Sequence, residues 1–203
     1  MVTIDRVFTD MKMDSIVVDN RDASYHVVKR MIAGGARRIA CLTTNPHLYT
    51  MNERRMGYED ALREAGIETT KALVGAAAFD NYSEEMYHVL DGIYRDVPNV
   101  DGFFFTTHIL AIEAFRYFYE RGINANGNYQ LGCIHGIPAF KALAPDIIVA
   151  RMPVEDIGGN AVRIVTEKIA CSRKGEKHPF ERLVLKCTYP TDLNELSRKA
   201  TDG

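Results

Sequence analysis

Short apolar runs alternate along this chain with longer stretches in which apolar residues recur every three or four positions. The short runs fall at 2–6, 15–19, 38–44, 72–76, 101–106, 129–134, 146–150 and 182–187, and each predicts a strand. The longer stretches predict amphipathic helices. Residues 22–34 carry Ala23, Val27, Val28, Met31 and Ile32 on one face. Tyr58, Ala61, Leu62 and Ala65 mark a second helix, which Thr50 and Glu53 open as a capping box and Gly66 closes. A third, capped by Asn81 or Ser83, has Met86, Val89, Leu90 and Ile93 as its stripe. The fourth, 108–121, turns Ala111, Ile112, Phe115 and Phe118 inward. The last, 154–170, buries Ile157, Ala161, Ile164, Val165 and Ile169. Asn45-Pro46-His47 makes a turn, and a polar tail ends the chain.

Strands alternating with helices over short loops predict an α/β fold, a parallel sheet with helices on both faces. Ligands in such sheets bind beyond the carboxyl ends of the strands. The candidate positions are therefore Asp19-Asn20, Thr43 to Tyr49, Phe79 to Asn81, Thr106-Thr107-His108 and Cys133 to Gly136. Arg54 and Arg55 sit near that rim, on the first turns of their helix. Cations are disfavoured at a helix start, so the pair is either solvated or employed for something other than stability.

Composition narrows the function. The 203 residues are 46% hydrophobic and 26% charged, as in an ordinary globular protein large enough for a real core. A net charge of −2 argues against a nucleic-acid surface on this chain. Cys41, Cys133, Cys171 and Cys187 are widely spaced, which fits a reducing cytoplasm better than a disulfide framework. No signal peptide or membrane-length apolar run occurs. The phosphate-binding glycine motifs, the G-x-S-x-G elbow and H-E-x-x-H are all absent, and no cofactor is expected. Cys133, His108 and His135 fall at the ends of successive strands and have the residue types for a zinc site or a thiol–imidazole nucleophile. Two of them lie on either side of a turn, however, and no acid is placed to orient either histidine. A polar pocket lining fits better. The Phe103-Phe104-Phe105 run reads as strand core.

In order and spacing, several segments together resemble the effector-binding domain of LacI/GalR-family transcriptional regulators. They are Val2-Thr3-Ile4-Asp5-Arg6, Val17-Val18-Asp19-Asn20, Gly35-Ala36-Arg37-Arg38-Ile39-Ala40 and, most specific, Glu53-Arg54-Arg55-Met56-Gly57-Tyr58. Asp101-Gly102-Phe103, Gly122-Ile123, Gly132, Pro153, Ile157-Gly158 and Ala161 follow in the right places. The resemblance implies a periplasmic-binding-protein-like type I fold with a ligand cleft between two lobes. Residues 1–18 and 152–180 would form a partial N-terminal lobe, 19–151 and 181–190 a nearly complete C-terminal lobe, and 191–203 a tail. The N-terminal lobe would then expose apolar surface. The resemblance also implies a cytoplasmic homodimer that meets DNA only through an N-terminal helix-turn-helix absent from this chain, with no membrane contact.

The site carried over from the family is Arg54, Asp5, Phe79, Thr107, His108 and His135. Arg54 matches an arginine that grips the effector. After Gly132 the family usually places an aromatic and then an aspartate for sugar hydroxyls, whereas this chain reads Cys133-Ile134-His135. Loss of that acid beside a retained arginine favours an anionic sugar derivative over a neutral sugar. The expected function is thus ligand sensing by a regulator and not catalysis. A transport-type solute-binding protein is the alternative, followed by a small enzyme using Cys133, His108 and His135.

Overall fold

The computed structural model describes residues 1–7, 12–44, 48–78 and 81–190. The turn expected at 45–47, Phe79 and the tail 191–203 lie outside the described residues. The chain forms β1 (Val2–Ile4), β2 (Asp14–Val18), α1 (Asn20–Ala33), β3 (Ile39–Thr44), α2 (Tyr49–Glu64), β4 (Val74–Ala77), α3 (Tyr82–Asp96) and β5 (Gly102–Phe105). It continues with α4 (His108–Glu120), β6 (Gln130–Ile134), α5 (Phe140–Leu143), β7 (Ile148–Ala150), α6 (Val154–Arg173) and β8 (Arg182–Leu185). Two compact units result. The smaller comprises Met1–Asp19 and Met152–Cys187; the larger comprises Asn20–Arg151 and the chain from Thr188.

The larger unit is a five-stranded, wholly parallel sheet in the order β4-β3-β5-β6-β7. Every residue of β3 and β5 is buried, as expected of strands covered on both faces. Strand alternation divides the three phenylalanines of β5. Phe103 and Phe105 enter the core beneath α3 and α4, against Phe118 and Phe115. Phe104 faces the other way and stacks on Tyr58 of α2, at 6.1 Å between ring centroids. The fully buried Tyr58 hydroxyl donates to the Ile39 carbonyl at 2.8 Å, which resolves its one polar group. Glycines set how closely the helices approach. A β-carbon on Gly57 would lie 2.1 Å from the Arg21 carbonyl oxygen, so α2 crosses α1 backbone to backbone. Further along α1, a β-carbon on Gly132 would lie 2.5 Å from Met31 Sδ and 2.7 Å from Val27 Cγ1.

The smaller unit is a three-stranded parallel sheet, β1-β2-β8, with α6 packed on it. Its buried centre is β2. The Asp14 carboxylate meets Lys168 Nζ at 2.5 Å and accepts the Glu181 N–H at 2.9 Å. Burial alone would push the Asp14 carboxyl up. The ammonium and the N–H outweigh it and hold the group below the ordinary carboxylate range. Lys168 also lies over the Phe180 ring, 4.4 Å from its centroid.

Five local expectations are corrected. α2 begins at Tyr49 with Leu48 as its N-cap and no side-chain cap bond, so Thr50 is a buried residue of the first turn and no capping box forms. Asn81 is the N-cap of α3, but its amide donates to Glu84 and makes no cap bond to the backbone. On α4, Ile112 does not turn inward but is 39% exposed. On α6, Ile157 and Ile164 are buried but Val165 and Ile169 are about half exposed, because one three-stranded sheet covers only part of the helix circumference. Finally, β8 pairs with β2, from Ser15↔Arg182 to Val18↔Leu185, and so joins the smaller unit and not the larger one. Nothing local to an apolar strand names its sheet; pairing at that sequence separation is decided by the tertiary fold.

Candidate functional site

The parallel sheet of the larger unit brings the ends of β3, β5 and β6 to one edge, and the polar groups that follow those strands gather there. Arg54 is central to the gathering. It is 4% exposed, on the second turn of α2. Its Nε donates to Asn20 Oδ1 at 2.7 Å, and its Nη1 donates to the Thr106 carbonyl, also at 2.7 Å. The guanidinium therefore joins the start of α1 to the end of β5. Hydrogen bonds to a charged donor are each worth about 1.5–3 kcal/mol, so Arg54 is a structural tie as well as a charge at the strand ends. Arg55, one position round the helix, instead pairs with Glu59 at 2.8 Å and keeps 40% of its side chain in solvent. The solvated role suits Arg55 alone.

His108 opens α4 directly after β5, and His135 follows the last residue of β6. Their rings lie 4.7 Å apart, tilted by 44°. His135 has a left-handed backbone, φ 69°, and its N–H donates to the Ala150 carbonyl at 2.9 Å. That conformation costs a β-carbon-bearing residue about 1–2 kcal/mol, and such outliers gather at functional sites. Burial pushes both imidazoles below the ordinary histidine range. Arg54 adds to the depression of each, and His108 adds to that of His135. Both rings are therefore neutral at neutral pH. Thr107 caps α4, its hydroxyl accepting the Ile109 N–H at 3.1 Å. The Thr106 hydroxyl is fully buried and makes no hydrogen bond among the described residues.

Of the expected site residues, Arg54, Thr107, His108 and His135 come together in the larger unit. Asp5 belongs to the smaller unit, where it leaves β1 with φ 53° and donates its N–H to the Ile16 carbonyl. Asn20 and the Thr106 carbonyl are the partners that sequence reasoning did not assign to Arg54. Their position just after β2 and β5 was the available signal. Cys133 is fully buried and donates to the Ile134 carbonyl, and burial pushes its thiol far above the ordinary range. It therefore stays protonated, the opposite of an activated nucleophile. Among the described residues, no three His, Cys, Asp or Glu side chains are placed to hold a metal ion.

Residues 28–189 match a known family, the periplasmic binding protein-like domain. The chain belongs to that family. Its relatives are LacI/GalR-type regulators. The ribose operon repressor of Halalkalibacterium halodurans is 22% identical over 203 residues, which is 100% of this chain and 56% of the repressor. This chain thus spans about half the length of the curated relatives it matches. The solved complex of the transcriptional regulator CelR with cellobiose superposes with a TM-score of 0.81 at 22% identity, over 94% of this chain and 57% of that one. The Cra dual regulator of Pseudomonas putida with fructose 1-phosphate gives 0.76 at 19%, over 93% and 67%. Those two solved structures thus hold a neutral sugar and a phosphorylated sugar respectively.

Proposed function

We propose that this chain is the effector-sensing portion of a bacterial LacI-type transcriptional regulator and that it binds a small sugar or sugar derivative. The observation that carries the reading is the placement of Arg54. A buried guanidinium at the strand ends of a periplasmic-binding-protein-like unit, tied to Asn20 and the Thr106 carbonyl, supports the reading because ligands of open parallel sheets bind beyond the strand ends. In the whole protein, two copies act together, and DNA is met by a helix-turn-helix outside this sequence. Ligand acts by binding one arrangement of the regulator better than another, which shifts their populations.

Thermal-shift and calorimetric titration with a panel of sugars, sugar acids and sugar phosphates tests the assignment. Ligand at about one hundred times its Kd stabilises the folded state by about 2.7 kcal/mol, a shift of several degrees. Arg54→Lys keeps the charge and removes the fork, and is expected to abolish the response. Absence of any stabilising ligand in the panel, or an undiminished response in the variant, overturns the proposal.

A further inference from the structure

The loop between α4 and β6 carries a reactive pair of residues that ligand sensing does not use. Its centre reads Asn124-Ala125-Asn126-Gly127-Asn128, and Asn126 is the one asparagine in the chain that precedes a glycine. Asparagine carboxamides are thermally labile, and the next residue governs how labile. Its backbone nitrogen can attack the asparagine Cγ, and a side chain on that residue stands in the way. Glycine has none. Asn126, Gly127 and Asn128 form a turn, closed by the Tyr129 N–H on the Ala125 carbonyl at 3.2 Å. Gly127 is exposed, with a left-handed φ of 87°, and its N–H makes no hydrogen bond among the described residues. The attacking nitrogen is thus neither shielded by a β-carbon nor engaged by an acceptor. Asn126 Nδ2 donates to the Leu143 carbonyl at the end of α5, at 3.0 Å, and this bond is open to water.

Asp91-Gly92 and Asp101-Gly102 have the spacing for the same ring closure, and there the fold withholds it. Gly92 lies inside α3, whose ladder uses its N–H. The Asp91 carboxylate accepts from the Tyr117 hydroxyl at 2.6 Å and from Arg121 at 3.1 Å. The Asp101 carboxylate is fixed by the N–H groups of Arg37, at 2.9 and 3.0 Å, and Arg38, at 2.7 Å.

We propose that Asn126 is a site of spontaneous deamidation, which converts the amide tether of this loop into an acid. The Gly127 amide gives its proton to hydroxide from solvent, and its nitrogen bonds to Asn126 Cγ. The Cγ–Nδ2 bond breaks, and Nδ2 leaves as ammonia with a proton from water. A succinimide ring is closed. Water then opens it. Addition at Cγ restores the ordinary peptide bond and leaves aspartate; addition at the main-chain carbonyl routes the backbone through Cγ and leaves isoaspartate. Nothing is oxidised or reduced. Either product sets a carboxylate where a donor had faced the Leu143 carbonyl, so the tether between the loop and α5 is lost. The change enters ahead of β6, at the opposite end of that strand from His135.

Protein held for weeks in mildly alkaline buffer at physiological temperature, followed by peptide mass spectrometry and ammonia release, tests the site. A clash that adds about 1.4 kcal/mol to a barrier slows a reaction about tenfold. Asn126 is therefore expected to gain acid at least about tenfold faster than Asn124 and Asn128, which are exposed in the same loop but precede Ala125 and Tyr129. Folded and urea-unfolded samples separate the structural claim from the bare sequence. At Asn126 the two rates are expected to agree within about tenfold, because an exposed turn opens at little cost. At Asp91 and Asp101 isoaspartate is expected in the unfolded sample alone. Asn126→Gln lengthens the ring that must close and is expected to abolish the signal. Asn126→Asp imitates the aged protein and is expected to melt a few degrees lower than the fresh one. Acid gained evenly along the loop, or at Asn126 only after unfolding, overturns the site. An unchanged melting temperature in Asn126→Asp overturns the loss of the tether as its consequence.

Discussion

The two units bury ionic groups in different ways. In the smaller unit, Asp14 and Lys168 form a direct pair beneath one helix and beside Phe180. In the larger, Arg54 is held by the neutral oxygens of Asn20 and Thr106 and lends its charge to two histidines. The first is a carboxylate–ammonium contact that ties a strand to the helix over it; the second joins a helix start to a strand end through an amide and a backbone carbonyl. The surroundings differ as well. The larger unit covers its sheet on both faces, while the smaller contributes eight of the thirteen exposed large hydrophobic side chains among the described residues, including Val154, Val162 and Val184.

The largest effect that would test this contrast is expected from Tyr58→Ala, which removes a fully buried ring stacked on Phe104 and a hydrogen bond to the Ile39 carbonyl. Chemical denaturation should show a loss of about 3–5 kcal/mol. Less than about 1 kcal/mol would mean that the larger unit is not the rigid one.

Next comes Lys168→Met. It leaves the Asp14 carboxylate buried without its ammonium and should cost roughly 2 kcal/mol at neutral pH, less than a fully buried pair because part of Lys168 is exposed. The sign with pH is fixed by the depressed folded-state pKa of Asp14. The pair's contribution is complete above the ordinary aspartate range and disappears as pH falls through the folded value, so the cost of the variant shrinks in acid. Asp14→Asn combined with Lys168→Met should recover most of the loss, and denaturation curves at two pH values check both statements.

The smallest effect is expected at Val162, 68% exposed on α6. Val162→Thr should change stability by no more than about 0.5 kcal/mol, whereas Ile164→Ala on the buried side of the same helix should cost about 2–4 kcal/mol. A loss above about 1 kcal/mol at Val162 would show that the exposed stripe of α6 is covered in solution.

Much of this was legible in the sequence, for identifiable reasons. Strand and helix existence followed from periodicity, and the split of the phenylalanine run follows from the two-residue repeat of β5. The strand-end rule puts Arg54, His108 and His135 in one region from sequence alone. What was not legible was non-local or carried no side-chain signal. The Thr106 group that accepts from Arg54 is a backbone carbonyl, which any residue would provide. The pairing of β8 with β2 joins positions far apart in the chain. Thr50 and Glu53 have the spacing of a capping box, yet the helix starts two residues earlier than a Thr50 cap would set it, because a side-chain motif competes with how the preceding loop delivers the backbone. On α6 the apolar repeat was real, but periodicity does not say how much of a helix its neighbours cover.

The seat of α1 between Gly57 and Gly132 has a consequence for how this protein tolerates changes in length. One inserted residue turns everything beyond it in a helix by about 100°. Val27 and Met31 would then swing away from the glycine that admits them, and the chain after the insertion would no longer lie against α2. The segment 34–38 that follows is mostly exposed, but Gly34 lies against Gln130 and the Arg37 and Arg38 N–H groups donate to the Asp101 carboxylate. Insertions and deletions should therefore be excluded from 20–33. That keeps Asn20 at a fixed distance from the sheet, and with it the geometry that Asn20 gives to Arg54.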